Sequence, residues 1–219
     1  MSAESGVPTY RGRGGIWNEY KWEEYACQDA FINDPNSVLD FHELRRIEAL
    51  KCKPHLGHKL IKELQEKIPN TIIVTQNIDG MHQRADSSNV IELHGSLWRM
   101  RCQSESRIFS DLKYGKYKNR YCDCGNILRP DIIWFQDMLD ESTVQNATQA
   151  INECDLFVSI GTSAVVWPAA GFPNLAKKAG AYCIEINPEE TELSSLYDER
   201  IRENAGKGLG LLLKKNLLF

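Results

Sequence analysis

The sequence predicts an α/β protein with a doubly wound parallel sheet and a small inserted lobe, and three observations carry that expectation. Apolar runs of strand length at 71–74, 131–135, 155–160 and 181–186 alternate with helix-period segments at 140–153 and 168–178. The first, third and fourth of these runs, and the shorter run Val90-Ile91, lead into polar or small residues, the pattern of strands ending at a ligand crevice. Residues 96–130 break the alternation with an irregular, polar and aromatic-spotted stretch, which reads as an insertion.

The remaining elements follow in order. Residues 1–20 are rich in Gly, Ser and Arg and read as a flexible loop of the kind that closes over a ligand. Helical spacing then begins, with Phe31, Val38, Phe41, Leu44, Arg45 and Ile47 three or four residues apart and Asn33-Asp-Pro35 as a start signal. Pro54 breaks this lobe, residues 58–68 give a second amphipathic helix, and Asn70 marks the entry to the strand at 71–74. The apolar run at 206–215 is either a last short helix or a tail.

Composition narrows the function. A chain of 219 residues can bury one substantial core, and its net charge of -4 argues against a surface that neutralises phosphates, so no nucleic-acid partner is expected. No apolar run is long enough to span a bilayer and the first residues carry neither a basic leader nor an apolar signal core, so no membrane partner is expected either. Seven cysteines, an odd number without a framework, suggest reduced thiols in a cytoplasmic setting.

The chemistry gathers at strand ends. Thr75-Gln-Asn-Ile-Asp79 follows one strand and Glu92-Leu-His94-Gly-Ser96 follows another; Gly161, Thr162 and Ser163, and Asn187 with Glu189, end two more. Each alone reads equally well as a turn or helix cap, but together they would line one sheet edge, where backbone amides accept a pyrophosphate and side-chain amides hold a ribose. A lone histidine is most often a structural hydrogen-bonding residue; the position of His94 beside these amides favours catalysis. Cys102, Cys122 and Cys124 suggest a metal that holds the insertion together, with the fourth ligand of a tetrahedral site missing: Glu105 or an unidentified residue would have to serve, or the site is degenerate.

These motifs, in this order, resemble the sirtuins, the NAD-dependent protein lysine deacylases. The match includes Ser2-Ala-Glu-Ser-Gly-Val-Pro-Thr-Tyr-Arg11, Thr75-Gln-Asn-Ile-Asp-Gly80, Leu93-His-Gly95, Leu128-Arg-Pro-Asp-Ile-Ile-Trp-Phe135 and Gly161-Thr-Ser163. The resemblance implies a Rossmann-type domain of residues 1–9, 56–98 and 128–219. It also implies a small domain of residues 10–55 and 99–127, made of a helical module and a zinc ribbon. NAD and an acyl-lysine peptide would meet in the crevice between them. His94 would be the general base that activates a ribose hydroxyl after the acyl oxygen has attacked the anomeric carbon, with Asn77 and Asp79 holding the nicotinamide and ribose. Ala3, Thr9, Tyr10, Arg11, Trp17, Gln76, Ile78, Gly161, Thr162, Ser163, Asn187, Pro188 and Glu189 would complete the cofactor site. Nicotinamide and an O-acyl-ADP-ribose would be the products.

The same resemblance aligns His42 and Arg45 with the Tyr and Arg of the sirtuin class that recognises acidic acyl groups. Arg45 could pair with a succinyl, malonyl or glutaryl carboxylate. His42 could donate a hydrogen bond, with a charge that varies near neutral pH. On spacing alone, Arg45 and Arg46 would read as a solvated helix face. Sirtuins also carry a strand and a Gly-Ala-Gly turn ahead of the segment that starts here at Met1, so the resemblance implies an N-terminally truncated chain with weakened cofactor affinity and stability. The alternatives are an ADP-ribosyltransferase or NAD glycohydrolase using the same cationic-carbon chemistry, or a non-catalytic binding module.

Overall fold

The computed structural model describes residues 1–8, 15–111, 115–163 and 165–215. After 3-10 turns at Ser2–Ser5 and Ile16–Asn18 come helices α1 (Trp22–Tyr25), α2 (Gln28–Asn33), α3 (Pro35–Lys51) and α4 (Leu56–Lys67). Asp34 caps α3 by accepting the Ser37 amide at 3.1 Å, and Pro35 occupies its first turn, where a missing N–H costs nothing. Two expectations for α3 are corrected. Leu44 is 54% exposed, whereas Arg45 and Arg46 are buried, so their side is no solvated face. Arg46 donates to the Asp111 carbonyl at 2.6 Å and lies over the rings of Tyr117 and Trp98, which offsets the cost of burying its charge.

Strand β1 (Ile73–Thr75), the short helix α5 (Met81–Arg84) and strand β2 (Val90–Glu92) follow, with β1 and β2 parallel in the register Ile73↔Val90 and Thr75↔Glu92. The segment expected to be irregular carries strands at 96–102, 107–110 and 129–130, and its described residues between 111 and 128 are irregular as expected. β3 (Gly95–Cys102) lies between β4 (Arg107–Ser110) and β5 (Arg129–Ile132) in an antiparallel sheet. The run at 131–135 therefore contributes to this ribbon and not to the parallel sheet, because its partner is the long strand that leaves His94.

Helix α6 (Glu141–Asn152), capped by Asp140, leads to β6 (Leu156–Ile160), α7 (Phe172–Ala179), β7 (Tyr182–Ile186), β8 (Glu199–Ile201) and α8 (Ala205–Lys214). β6, β7 and β8 form a second parallel sheet in that order. Alternation along β7 sends Cys183 to the face covered by Ala147, Phe172 and Ala176, and Ile184 and Ile186 to the face covered by Ile61, Leu209 and Leu212. Burial on both faces is what makes β7 read as a nearly continuous apolar run. The apolar residues at 206–215 belong to α8, which settles their two earlier readings.

The Rossmann-like arrangement is thus built from two parallel pieces, β1-β2 and β6-β7-β8. β1 and β6 line the same cavity of about 1890 Å³, with Ile61 and Leu212 on one side and Ile151 and Phe172 on the other. At its polar mouth the Gln76 amide donates to the Thr162 hydroxyl at 3.4 Å.

Gly95 joins His94 to the antiparallel sheet at φ 74°, and a Cβ there would lie 2.1 Å from the Asp131 carbonyl oxygen. Substituting Gly95→Ala is expected to cost at least about 2 kcal/mol through left-handed strain and backbone collision. Thermal unfolding checks this: a melting temperature equal to that of the parent chain would refute the close approach.

Candidate active site

Residues 75–79 leave β1 as a tight polar turn. The Thr75 hydroxyl accepts the Asn77 amide at 3.1 Å, Asp79 Oδ1 accepts the Met81 amide at 2.9 Å, and the Asp79 carbonyl accepts the Trp98 indole N–H at 2.7 Å. Gly80, at φ 68°, lets the chain reverse into α5. One residue beyond β2, the Leu93 amide extends the parallel ladder by donating to the Thr75 carbonyl at 2.9 Å. The next side chain is therefore brought against the turn after β1.

That side chain is His94, whose Nδ1 lies 3.0 Å from the Gln76 carbonyl. A carbonyl only accepts, so Nδ1 carries the hydrogen and Nε2 keeps a lone pair. Burial lowers the imidazole pKa from its usual value, and the bond to Gln76 partly opposes that shift. A half-buried neutral imidazole with a free basic nitrogen is the arrangement a general base requires.

The crevice brings together His94 with Gln76, Asn77, Ile78, Asp79, Gly161, Thr162, Ser163, Ala3, Trp17, His42 and Arg45. Asn187 and Glu189 line a shallower groove that shares Gly161, Thr162 and Ser163, and the Asn187 amide donates to the Thr162 carbonyl at 2.9 Å. Pro188 follows β7 but lines neither space. Thr9, Tyr10 and Arg11 lie outside the described residues.

His42 and Arg45 sit at the helical-lobe side of the crevice. His42 Nε2 accepts the Trp134 indole N–H at 3.1 Å, and burial, followed by the nearby Arg45 charge, pushes its pKa down to about 3. This corrects the expectation of a charge varying near neutrality: the ring is neutral throughout the physiological range. Arg45 donates to the Pro8 carbonyl at 3.0 Å. Sequence reasoning did not single out Trp134 as the partner that fixes His42, and nothing in the spacing between the two could have done so.

A second cluster closes the antiparallel ribbon. Cys102, Glu105, Cys122 and Cys124 place their ligand atoms all within 4.8 Å of one another, so the fourth donor expected to be missing has a candidate in Glu105. The Cys102–Cys124 sulfur separation is 3.6 Å and Cys122 Sγ lies 3.4 Å from Glu105 Oε2. A tetrahedral zinc ion has sulfur–sulfur edges of about 3.8 Å and sulfur–oxygen edges of about 3.5 Å, so these residues fit the ion.

Strand ends that deliver amides, a carboxyl and an imidazole to a crevice between an α/β sheet and a smaller lobe define a nucleotide-crevice protein. Residues 1–168 match the Sir2 family, and the chain belongs to that family. It is 40% identical over 211 residues to an NAD-dependent protein deacylase of Aquifex aeolicus, a match covering 95% of this chain and 88% of the relative. It is 39% identical to NAD-dependent protein deacylase 1 of Archaeoglobus fulgidus, covering 98% and 88%. Among solved structures, the NAD complex of a Sir2 homologue superposes with a TM-score of 0.89 at 39% identity, over 100% of this chain and 87% of that one. An ADP-ribose complex of a Sir2 homologue mutant gives 0.90 at 38%, over 98% and 87%.

His55, His58 and His82 form a row that reaches the crevice at His82, with neighbouring ring centroids 4.5 and 4.9 Å apart. Burial holds the His58 pKa at about 3 and that of His82 at about 4, so the folded chain keeps both neutral. Unfolding restores the ordinary value of 6.5, and the denatured state then binds protons that the folded state does not. Stability contributed by these rings is complete above about pH 6.5 and is lost as pH falls toward their folded values. The urea midpoint is expected to drop between pH 7 and pH 5, with a shallower slope in His58→Gln; equal slopes would contradict the assignment.

Proposed function

We propose that this Sir2-family chain is an NAD-dependent protein lysine deacylase with His94 as its general base, in a crevice whose acyl end is formed by His42 and Arg45. The observation that carries the reading is the bond from His94 Nδ1 to the Gln76 carbonyl, which leaves Nε2 with its lone pair in the crevice that Asn77 and Asp79 also line. The cavity, the polar strand ends and Gly161, at φ 58°, suit a dinucleotide. When bound, NAD supplies an anomeric carbon that releases nicotinamide and is captured by the acyl oxygen.

The protein's part is positional and protonic. Gln76, Thr162 and Ser163 hold the phosphate and ribose side, while Asn77 and Asp79 hold the nicotinamide side. His94 Nε2 takes the proton of a ribose hydroxyl, and the Gln76 carbonyl steadies the imidazolium through Nδ1. Apolar walls, Ile78 among them, keep water from competing with the amide oxygen.

Arg45 gives the pocket its preference: a permanently charged guanidinium at the crevice wall favours acyl groups ending in a carboxylate, succinyl or malonyl above acetyl. A neutral His42, held by Trp134, shapes the pocket without adding charge. The large domain is residues 1–9, 56–98 and 128–219 and the small one 10–55 and 99–127; the apolar cluster around Ile184 lies wholly within the large domain, while the cluster around Trp98 packs residues of both together. All seven cysteines are free, in keeping with a cytoplasmic enzyme, and no helix among the described residues is long and apolar enough to cross a membrane.

Three measurements test this reading. Nicotinamide release is expected to require an acylated lysine peptide and to vanish in His94→Ala; peptide-independent release, or labelled ADP-ribose on protein, would replace the deacylase with a glycohydrolase or ADP-ribosyltransferase. Because burial lowers the His94 pKa, kcat/KM is expected to hold to a lower pH than an ordinary histidine would allow before it falls, and an acidic limb at or above 6.5 would contradict this. Arg45→Met should lower kcat/KM for succinyl-lysine roughly tenfold or more relative to acetyl-lysine, the loss of one charged hydrogen bond. An unchanged ratio would remove Arg45 from recognition.

A further inference from the structure

We infer that Glu105 is a metal ligand, so that the ribbon holds a tetrahedral divalent cation by three thiolates and one carboxylate in place of four thiolates. Three observations lead there. Cys102 ends β3, Glu105 lies in the turn between β3 and β4, and Cys122 and Cys124 flank a turn closed by the Tyr121↔Ile127 bridge, so four donors arrive from two separate turns. Their ligand atoms are mutually within 4.8 Å, and the two separations given above match the edges of a tetrahedron around zinc. Outer contacts are also in place: Arg107 donates to Glu105 Oε2 at 3.1 Å and the Asn126 amide donates to Cys124 Sγ at 3.3 Å.

The donor set has consequences of its own. Three thiolates and a carboxylate bring the same four negative charges to a divalent ion as four thiolates would, so the net charge of the centre is unchanged. Its softness is not: one oxygen donor lowers the preference for soft ions such as Cd²⁺ relative to Zn²⁺. Cys102 and Cys122 are buried, while Glu105 and Cys124 are exposed, so the carboxylate stands on the solvent side. That is the side on which ligand exchange with a chelator begins. The cation would fasten the end of β3 to the turn at 122–124.

The test uses the full chain, freed of metal and titrated with Co²⁺, Zn²⁺ and Cd²⁺ against a chromophoric chelator, so no readout depends on turnover. Co²⁺ is expected to bind one per chain with tetrahedral visible bands and charge-transfer intensity for three thiolates. Glu105→Cys should raise that intensity by a third and increase the Cd²⁺ over Zn²⁺ preference. Glu105→Gln should keep three-thiolate intensity while weakening Zn²⁺ binding at least about tenfold. Absence of stoichiometric binding by the parent chain would overturn the inference. So would a Glu105→Gln affinity equal to that of the parent, or a Glu105→Cys spectrum without a fourth thiolate; circular dichroism of each variant confirms that it is folded.

Discussion

The parallel pairing of β1 with β2 is the constraint on which the site depends. Its register sets Thr75 against Glu92, and the ladder continues one step further, from the Leu93 amide to the Thr75 carbonyl. That step leaves His94 facing the Gln76 carbonyl. A one-residue slip would turn every following side chain to the opposite face and carry the imidazole away from the amides. Gly95 then sends the chain at once into β3, against the backbone of Asp131, so the pairing that positions His94 also launches the ribbon. The placement of His94 and the attachment of the ribbon thus follow from one pairing.

Two of the charges buried in this fold, Arg45 and Arg46, meet partners that arrive from far along the chain, whereas Arg129 finds its own nearby. Arg45 donates to the Pro8 carbonyl and Arg46 to that of Asp111, and Arg129, only 2% exposed, pairs with Asp137 and lies over the Trp134 ring. Trp134 in turn holds His42. The helical-lobe side of the crevice is therefore stiff: the Arg45 guanidinium and the neutral His42 ring are held by Pro8 and Trp134, which line the same space. Stiff polar walls suit discrimination between ligands, because an ill-fitting one cannot recruit new partners at little cost.

Strand ends were legible in the sequence because burial on both faces leaves a short apolar run, and polar residues stop it abruptly; residues 75–79 and 161–163 needed no tertiary information. The run at 131–135 looked the same and joined a different sheet, since neighbour choice is non-local and Asp131 meets Gly95 across 35 intervening positions. β8, with three residues, is too short to announce itself. Burial of Arg45 and Arg46 was hidden for the reason their charge is tolerated: the groups that receive it lie 37 and 65 positions away. Glu105 was visible as a residue beside Cys102, but its approach to Cys122 exists only once β3 and β4 pair.

Glu4 accepts the amides of Ala205 and Gly206 with its two carboxylate oxygens, at 2.7 and 3.2 Å, and so ties the opening turn of the chain to the start of its last helix. Met1, Ser2 and Ala3, which form one rim of the crevice, hang from that knot. Contacts of such sequence separation form late, after loop closure across nearly the whole polypeptide. During synthesis the rim consequently has nothing to hold until α8 has left the ribosome. The two lobes can assemble earlier, but a finished cleft, and any turnover in it, awaits the docking of α8.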